Sequence, residues 1–512
     1  MWAGDPQRLP APAPVMDNGP PNHLERGCID APPQVIALLP HSTMPPFDLL
    51  RWTRYATYAY LVAVPGLVES LNLLAIHDTA RALQAALCCL AVAAWAQRFD
   101  PRQCRLSRLQ LGLVGLMVAL TLVSIVQAQW PLFAATEACL WMGLIALGWV
   151  FAASDKDCLS QEIPGVIAAA VLAMALQEVM NIGFAWLSHF PLDVGDVGRG
   201  HPNRRHFNHV QTMALILAGI PMWYGQARWI RWSAWLGFVV GMALVWFSGA
   251  RSTLLSLAIV SLGFLALVQQ KHFWTKRLLL MVAASVATYI IVYRWTPDAI
   301  GVVIADAETM SQRNQAGTVN TRIMLWQHAW NMAAAKPWTG WGGLHYATLT
   351  HLPAAHPHNI ILQWAAEWGW VSTLLALFAL ARLTRLARAA MRRRLRGASW
   401  PLSPIATAAG LASLAGWVDA MFSGTLTMPA SQVWWLFCLG THQINKLAEI
   451  DSNSKEANSK KHLIGIVFTL LTLSIANATY NHLCGFDMQS NPRSESLQPR
   501  LWLLGNLPKQ GS

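Results

Sequence analysis

Charged residues are scarce in this sequence. Only 12% of its 512 residues are Asp, Glu, Lys or Arg, about half the fraction that an ordinary soluble domain carries. By contrast, 54% of the residues are hydrophobic and 26 are Trp. Apolar runs of around 20 residues recur from residue 55 to residue 484, and each is long enough to cross a bilayer. The composition excludes a large soluble protein and predicts an integral membrane domain over residues 51–484.

Cysteine pairs and a signal peptide are also missing. The eight cysteines contain no Cys-x-x-Cys pair, so neither a disulfide framework nor a thiolate metal site is indicated. Residues 1–50 lack an apolar core of the signal-peptide kind and contain several Pro-rich stretches. We expect residues 1–50 to form a disordered cytoplasmic tail, with Met44 as an alternative start.

The hydropathy pattern predicts an all-α membrane protein, a polytopic bundle of about 12 or 13 transmembrane helices. The spans at 79–97 and 430–445 are the weakest. The predicted spans lie at 55–76, 79–97, 109–129, 131–153, 163–187, 207–224, 232–248, 252–269, 276–295, 359–381, 402–418, 430–445 and 463–484.

Positive charge indicates the orientation of these spans. The net charge of +12 is scattered among short loops, which is typical of topology signals and does not suggest nucleic-acid binding. With the N-terminus in the cytoplasm, the tail and inner loops hold 25 Lys and Arg residues and the outer segments hold 11. The loops at 188–206, 249–251 and 296–358 then lie outside, and 485–512 forms an outer C-terminal tail. In a bacterial inner membrane, the large loop at 296–358 is periplasmic.

Basic residues are concentrated on this outer side, close to predicted membrane boundaries. Arg251 lies in a Ser-Gly-Ala-Arg-Ser turn between two spans, and Arg199, Arg204 and Arg205 precede another span. Charged groups at the edge of hydrocarbon are costly, so they usually mark a site that handles charge. A guanidinium suits phosphate oxygens in particular. The pattern predicts a site for an anionic headgroup at the outer face of the membrane.

A His-Pro-His-Asn segment, residues 356–359, closes the large loop. Histidine is suited to proton transfer near neutral pH, and we predict that His358 has this role. No carboxylate or Cys cluster accompanies the two histidines, so neither a metal nor another cofactor is expected. Within the same loop, the apolar spacing over residues 320–332 predicts an amphipathic helix on the membrane. Glu367, a few residues beyond the histidines, is interpreted as a packing or site-supporting group.

The order of these motifs resembles the superfamily of O-antigen ligases, O-antigen polymerases and protein O-oligosaccharyltransferases, the Wzy-type membrane glycosyltransferases. The resemblance covers roughly residues 195–380. Its elements are the Asn-containing start of a helix at Pro202–His209, the Ser-Gly-Ala-Arg-Ser-Thr turn at 248–253, Arg322-Ile-Met-Leu-Trp326 followed by Pro337-x-x-Gly-x-Gly342, the His-Pro-His-Asn segment at 356–359, and Glu367-x-Gly369. An Arg-Arg-His-Phe stretch at 204–207 replaces the short apolar step that many members have.

The resemblance implies transfer of a glycan from an undecaprenyl-diphosphate donor to an acceptor hydroxyl at the periplasmic face. Arg251, with Arg199, Arg204 or Arg205, would neutralise charge on the leaving diphosphate. His358 would orient or deprotonate the acceptor hydroxyl. Three further residues are expected to bind substrate: Arg322, His356 and Asn359.

Several alternatives stay open at this point. The acceptor is lipid A–core in a ligase, a protein Ser or Thr in an O-oligosaccharyltransferase, or another lipid-linked repeat unit in a polymerase; we favour the first two. A transporter or flippase of lipid-linked sugars would need charges at mid-membrane, and no inverted repeat supports it. A membrane scaffold would need neither Arg251 nor the paired histidines. An N-linked oligosaccharyltransferase needs Trp-Trp-Asp-x-Gly, whereas Trp434 and Trp435 are followed by Leu436.

Overall fold

The fold is built almost entirely from α-helices. The computed structural model describes residues 48–67, 76–98, 107–193, 204–225, 227–268, 271–305, 318–348, 354–395 and 403–443. The helices are α1 (Leu49–Leu67), α2 (Ile76–Arg98), α3 (Arg108–Val126), α4 (Pro131–Ala152), α5 (Lys156–Ser188), α6 (Arg204–Leu217), α7 (Gly219–Tyr224), α8 (Arg228–Ser248), α9 (Arg251–Leu267), α10 (Lys271–Ile290), α11 (Thr296–Ile300), α12 (Thr318–Ala335), α13 (Ile360–Leu395), α14 (Pro404–Ala420) and α15 (Pro429–His442). A π-helical turn, Ile291–Trp295, joins α10 to α11, and a 3-10 turn spans His345–Thr348.

Among the described residues, seven helices are long and apolar enough to cross a membrane. They are Thr79–Arg98, Arg108–Val126, Pro131–Ala152, Lys156–Ser188, Arg228–Ser248, Lys271–Ile300 and Ile360–Ala381. The all-α polytopic membrane fold is thus confirmed, and the weak span at 79–97 is one of the seven. The span at 430–445 corresponds to the 14-residue helix α15. The predicted span at 463–484, residues 1–47 of the N-terminal tail and the tail at 485–512 lie outside the described residues.

Local sequence explains where several helices begin and end. Ser107 starts α3 with a capping box, since its hydroxyl accepts from the Gln110 amide at 3.2 Å while the Gln110 side chain accepts from the Ser107 amide at 2.9 Å. Asp155 caps α5 by accepting two backbone N–H groups. Gly249 ends α8 in the left-handed region, with φ +62°, so the chain reverses within two residues and α9 follows at once.

Glycines let the central helices approach closely. A Cβ on Gly440 of α15 would overlap the Gly148 carbonyl oxygen of α4, and one on Gly143 would overlap the Cys88 side chain of α2. Small residues at helix crossings are the usual means by which membrane helices pack. Helix α4 is therefore held between α2 and α15 at the centre of the bundle. In contrast, only 6% of the apolar window of α3 is buried, which suits a helix surrounded by lipid.

Two segments outside the helices pair as very short strands. Leu192–Asp193 lies parallel to Ile304–Ala305, and the Leu192 amide also donates to the Val303 carbonyl at 2.9 Å. The bridge joins the segment after α5 to the segment after α11. The sequence predicts that both loops, 188–206 and 296–358, lie on the same side of the membrane.

Helix α12 forms where an amphipathic helix was predicted. Leu325 and Ala329 of α12 are buried. They pack against Tyr346 of the 3-10 turn and Ala366 of α13. Trp330, on another face, is about half exposed at 53%. Trp330 also packs against Trp370 of α13, with ring centroids 5.6 Å apart. Contact of this helix with the membrane surface stays a prediction.

Candidate functional site

Side-chain hydrogen bonds fasten α6 to α8 and α9 where the predicted basic clusters begin. The Asn208 amide donates to the Ser248 hydroxyl at 3.1 Å, and the Thr212 and Thr253 hydroxyls lie 2.9 Å apart. All four residues are buried, so these bonds form in a medium where an unsatisfied polar group is costly. They hold the first turns of α6 and α9 side by side. We call the end of the bundle where these two helices begin the polar end.

Arg251 is the first residue of α9, and its side chain is exposed at the polar end. A second cation, Arg322 of α12, lies close enough to interact with it. Burial of part of the Arg322 side chain and the positive charge of Arg251 both lower the pKa of Arg322. The two guanidinium groups, from helices about 70 residues apart in sequence, thus lie close enough to repel one another, and a bound anion would relieve this repulsion.

The predicted arginines of the 199–205 segment differ in their exposure and in what they act on. Arg199 lies outside the described residues. Arg204 is half-buried and Arg205 is exposed in the first turn of α6, and the charge of Arg205 acts on His358. The sequence left open which of these arginines faces the site, and among the described residues the geometry favours Arg205.

The two histidines of the His-Pro-His-Asn segment lie against each other. Their ring centroids are 4.3 Å apart and the rings are nearly perpendicular. His358 has a φ of +55°, a left-handed conformation that costs a non-glycine residue about 1–3 kcal/mol and is concentrated at functional sites. The chain accepts this strain at the residue that we predict to act in proton transfer.

His358 is kept neutral by its surroundings. Burial, followed by the charges of Arg205, Arg322 and His206, lowers the pKa of His358 to about 3. At pH 7 the imidazole is therefore an unprotonated hydrogen-bond acceptor beside two arginines. An anion that neutralised these arginines would raise the pKa of His358, so anion binding and proton uptake are coupled at this position.

Asn359 has a structural contact in addition to its predicted role in substrate binding. Its side-chain oxygen accepts from the Leu362 amide at 3.1 Å and so caps the first turn of α13. This bond fixes the start of the helix directly after His358. A contribution of Asn359 to substrate binding stays a prediction.

Asp419, at the end of α14, was missed by the sequence analysis. The residue is fully buried and accepts a hydrogen bond from the Thr425 hydroxyl, while the Ser252 hydroxyl lies against the same carboxyl group. Arg322 is near enough to interact with it electrostatically. Among the residues that the structure describes, its Oδ1 has no hydrogen-bonding partner. The only signal in the sequence was an acidic residue one position past the predicted span at 402–418.

Two other predicted motifs, Pro337-x-x-Gly-x-Gly342 and Glu367-x-Gly369, contact each other and form one joint between the loop after α12 and helix α13. Gly369, at φ +80°, interrupts α13. The amides of Trp341 and Gly342 donate to the carbonyls of Ala366 and Glu367 at 3.1 and 2.8 Å, which satisfies acceptors that the break leaves without helical donors. The loop after α12 therefore locks onto the opening turns of α13.

Glu367 supports this joint. It is completely buried, and its Oε1 accepts from the Tyr346 amide at 3.2 Å. Nearby, the buried His345 ring bridges the Trp130 amide and the Gly343 carbonyl, each at 3.0 Å. These contacts agree with the interpretation of Glu367 as a supporting group.

No group of three or more His, Cys, Asp or Glu side chains is arranged to hold a metal ion within the described ranges. The residues gathered at the polar end are instead cations, neutral imidazoles and one buried carboxyl group. Such a set can bind an anion and exchange a proton with a neighbouring hydroxyl.

A family model described as O-antigen ligase matches residues 236–377. The match includes Arg251, Arg322, His356 and His358 and ends inside α13, while Arg205 and Asp419 lie beyond its limits. Among curated proteins, none matches the sequence.

Proposed function

We propose a specific reaction for this membrane protein, starting from the match of residues 236–377 to the O-antigen ligase family model. That match supports glycosyl transfer of the ligase or polymerase type in general. The protein transfers a glycan from an undecaprenyl-diphosphate donor to an acceptor hydroxyl, at the periplasmic face of a bacterial inner membrane. The favoured acceptors are lipid A–core, as in a ligase, and a protein Ser or Thr, as in an O-oligosaccharyltransferase.

One observation carries this proposal: Arg205 and Arg322 lie near a neutral His358, and Arg251 lies near Arg322, at one end of the bundle. A lipid diphosphate has its charge at the membrane interface and its prenyl chain in hydrocarbon. Arg205 and Arg251, in the first turns of α6 and α9, therefore match the depth of such a headgroup. A flippase would need charged groups along a path across the membrane, and these three cations lie together at one end.

In the proposed reaction, the acceptor oxygen attacks the anomeric carbon of the donor sugar. A bond forms between them while the bond from that carbon to the diphosphate oxygen breaks, and the electron pair leaves with the lipid diphosphate. Arg251 and Arg322 stabilise the charge that develops on the leaving group, a contribution of about 3–4 kcal/mol for one well-placed donor. Arg205 binds the diphosphate from the α6 side.

The acceptor hydroxyl must lose its proton during this step. His358 accepts it in our proposal, because the leaving diphosphate anion between the arginines makes the imidazole more basic as the reaction proceeds. His356 packs against His358 and orients it. No metal ion takes part in this scheme.

The test is surface-glycan and glycoprotein profiling of a strain that lacks the protein and is complemented with chosen variants. Arg251→Ala and His358→Ala are the test variants. Arg98→Gln is the matched control. Arg98 is exposed at the C-terminal end of α2 and pairs with Asp48 at 3.2 Å. Membrane abundance of each variant is measured in parallel.

We expect a glycan ladder or a glycosylated protein to disappear in the deletion strain while the lipid-linked glycan accumulates. Wild type and Arg98→Gln restore the product; the two test variants do not, at equal abundance. The lost product identifies the acceptor: lipopolysaccharide for a ligase, a protein for an O-oligosaccharyltransferase, and longer repeat chains for a polymerase. Full complementation by both test variants would overturn the proposal.

A further inference from the structure

A buried arginine, Arg81, lies in the first turns of α2, and its charge, like that of Arg205, acts on His206. Its side chain is only 2% exposed. Its Nη1 donates to the side-chain oxygens of Gln84 and Gln432 at 2.6 and 2.8 Å, and its Nη2 donates to the Thr427 carbonyl at 2.8 Å. A guanidinium inside a membrane protein is expensive, and such groups are usually functional.

Apart from the side-chain oxygen of Gln84 in α2, the acceptors of this network belong to one segment, the loop at 421–428 between α14 and α15 together with the start of α15. Gln432 also donates to the Leu426 carbonyl at 2.9 Å, and Gln84 donates to the Pro429 carbonyl at 3.3 Å. The backbone carbonyls of Leu426, Thr427 and Pro429 are thus bound by side chains of α2 and of the first turn of α15. We call Arg81, Gln84 and Gln432 the amide clamp.

The clamped loop forms the surface on which His356 rests. A Cβ on Gly424 would overlap Nε2 of His356 and would lie 2.9 Å from the Thr427 hydroxyl oxygen. The Thr427 hydroxyl donates to the Gly424 carbonyl at 2.7 Å, so the residue bound by Arg81 also fixes the position of Gly424. On the other side of the loop, Thr425 binds Asp419.

We infer that Arg81 is a positioning residue for glycosyl transfer: through the amide clamp it holds the loop at 421–428, and through Gly424 it sets the position of His356 against His358. This inference rests on the proposed function. Arg81 does not itself bind the donor, because its side chain is buried and both Nη atoms are used within the protein. Its role is mechanical, and it acts through His356.

The experiment measures the position of His356 without relying on catalysis. Purified full-length protein is treated with diethyl pyrocarbonate, which modifies accessible unprotonated imidazoles, and modification rates are read by mass spectrometry. His356 is 6% exposed, and His345, at 3%, is buried and bound to Trp130 and Gly343. His345 therefore reports general unfolding within the same molecule. The variants are Arg81→Gln, Arg81→Lys and the matched control Arg98→Gln, an arginine at the opposite end of the same helix.

A second variant guards against a misfolded Arg81→Gln protein. Arg81→Met combined with Gln432→Met replaces two of the three clamp residues by apolar side chains of similar length and leaves the bond from Gln84 to the Pro429 carbonyl. Such replacement of buried polar groups often preserves folding, while it removes the ties to Leu426 and Thr427.

We expect Arg81→Gln and the double variant to raise the modification rate of His356 about tenfold through local opening, with His345 unchanged. Arg81→Lys can still donate to Thr427, so its His356 modification rate is expected to lie between those of these variants and that of wild type. Transfer assays should show a lower kcat at nearly constant KM for the lipid-linked donor. The inference is overturned if His356 stays protected in both clamp variants, or if His345 becomes reactive to the same extent. A complete lack of transfer by the wild-type protein would instead refute the proposed function and leave the modification result interpretable.

Discussion

Replacing Arg205 with Gln is expected to raise the pKa of His358. The pKa of this imidazole is lowered to about 3, first by burial and then by the charges of Arg205, Arg322 and His206. Protonation places a positive charge beside two existing ones, so removal of one neighbouring cation makes protonation easier. The direction of the change is therefore upward, toward the ordinary histidine value of about 6.5.

The size of the expected increase in the pKa of His358 follows from the order of the causes that lower it. Burial remains in the variant, so the pKa of His358 stays well below 6.5. A like charge in close contact contributes about one pKa unit or more, and one unit corresponds to about 1.4 kcal/mol. We expect a pKa of about 4 in Arg205→Gln. At pH 4, about 10% of His358 would then be protonated in the wild type and about half in the variant.

The assay is histidine-labelled NMR of the protein in detergent, titrated from about pH 4 to pH 8, with His358 assigned by loss of its signal in His358→Gln. Arg322→Gln should give a smaller rise, since Arg322 ranks after Arg205 among the causes. Arg204→Gln is the matched control, a neighbouring arginine that is not among the charges lowering this pKa. The reasoning is refuted if His358 of the wild type titrates near pH 6.5, or if Arg204→Gln shifts it as much as Arg205→Gln does.

The same lowered pKa has a consequence for stability. The unfolded chain binds a proton at His358 near pH 6.5, whereas the folded protein does so only near pH 3. Between about pH 3 and pH 6.5, folding therefore requires His358 to lose its proton. The contribution of His358 to the free energy of unfolding falls as the pH drops from 6.5 toward 3. Arg205→Gln should narrow this pH range, because it raises the pKa of His358 in the folded protein. The pH dependence of the melting temperature would show this.

Three further changes have defined expected outcomes. Arg251→Ala should lower kcat for glycosyl transfer about 100-fold or more, with Arg251→Lys partly active because it keeps the charge but loses the fork; equal activity of all three proteins in a reconstituted assay would contradict this. Asp419→Asn should keep the fold, since it retains an acceptor for Thr425, and should reduce transfer because it removes the carboxyl group near Arg322. Wild-type rates in the purified variant would refute a functional role of this carboxyl group. Gly369→Ala should destabilise the protein by about 1–3 kcal/mol, because its φ is +80° and an added Cβ would overlap the Trp338 carbonyl; an unchanged melting temperature would show that the break in α13 is not constrained in this way.

The sequence by itself determined the class of protein and the approximate position of most described helices. The hydrocarbon layer imposes a length of about 20 apolar residues on each span and requires every backbone group to be bonded internally. These requirements are local, so they can be read one segment at a time. For the same reason Arg251 and His358 stood out, each a polar residue beside a membrane segment.

The tertiary structure decided which of these polar residues meet. Arg205 faces His358, and Arg204 does not contribute to lowering its pKa, a difference that depends on where α6 begins and on the turn of about 100° per residue along it. That starting point is set by packing against α8 and α9, and sequence patterns leave such boundaries uncertain by several residues.

Asp419 and Arg81 show the same limit more sharply. Asp419 joins the site only because α14 ends beside Ser252 and Arg322, and Arg81 reaches a loop some 346 residues away in sequence. Burial and hydrogen bonding of a polar group depend on all the helices packed around it. The sequence shows where charge enters the membrane, and only the packed bundle decides which charges are held together.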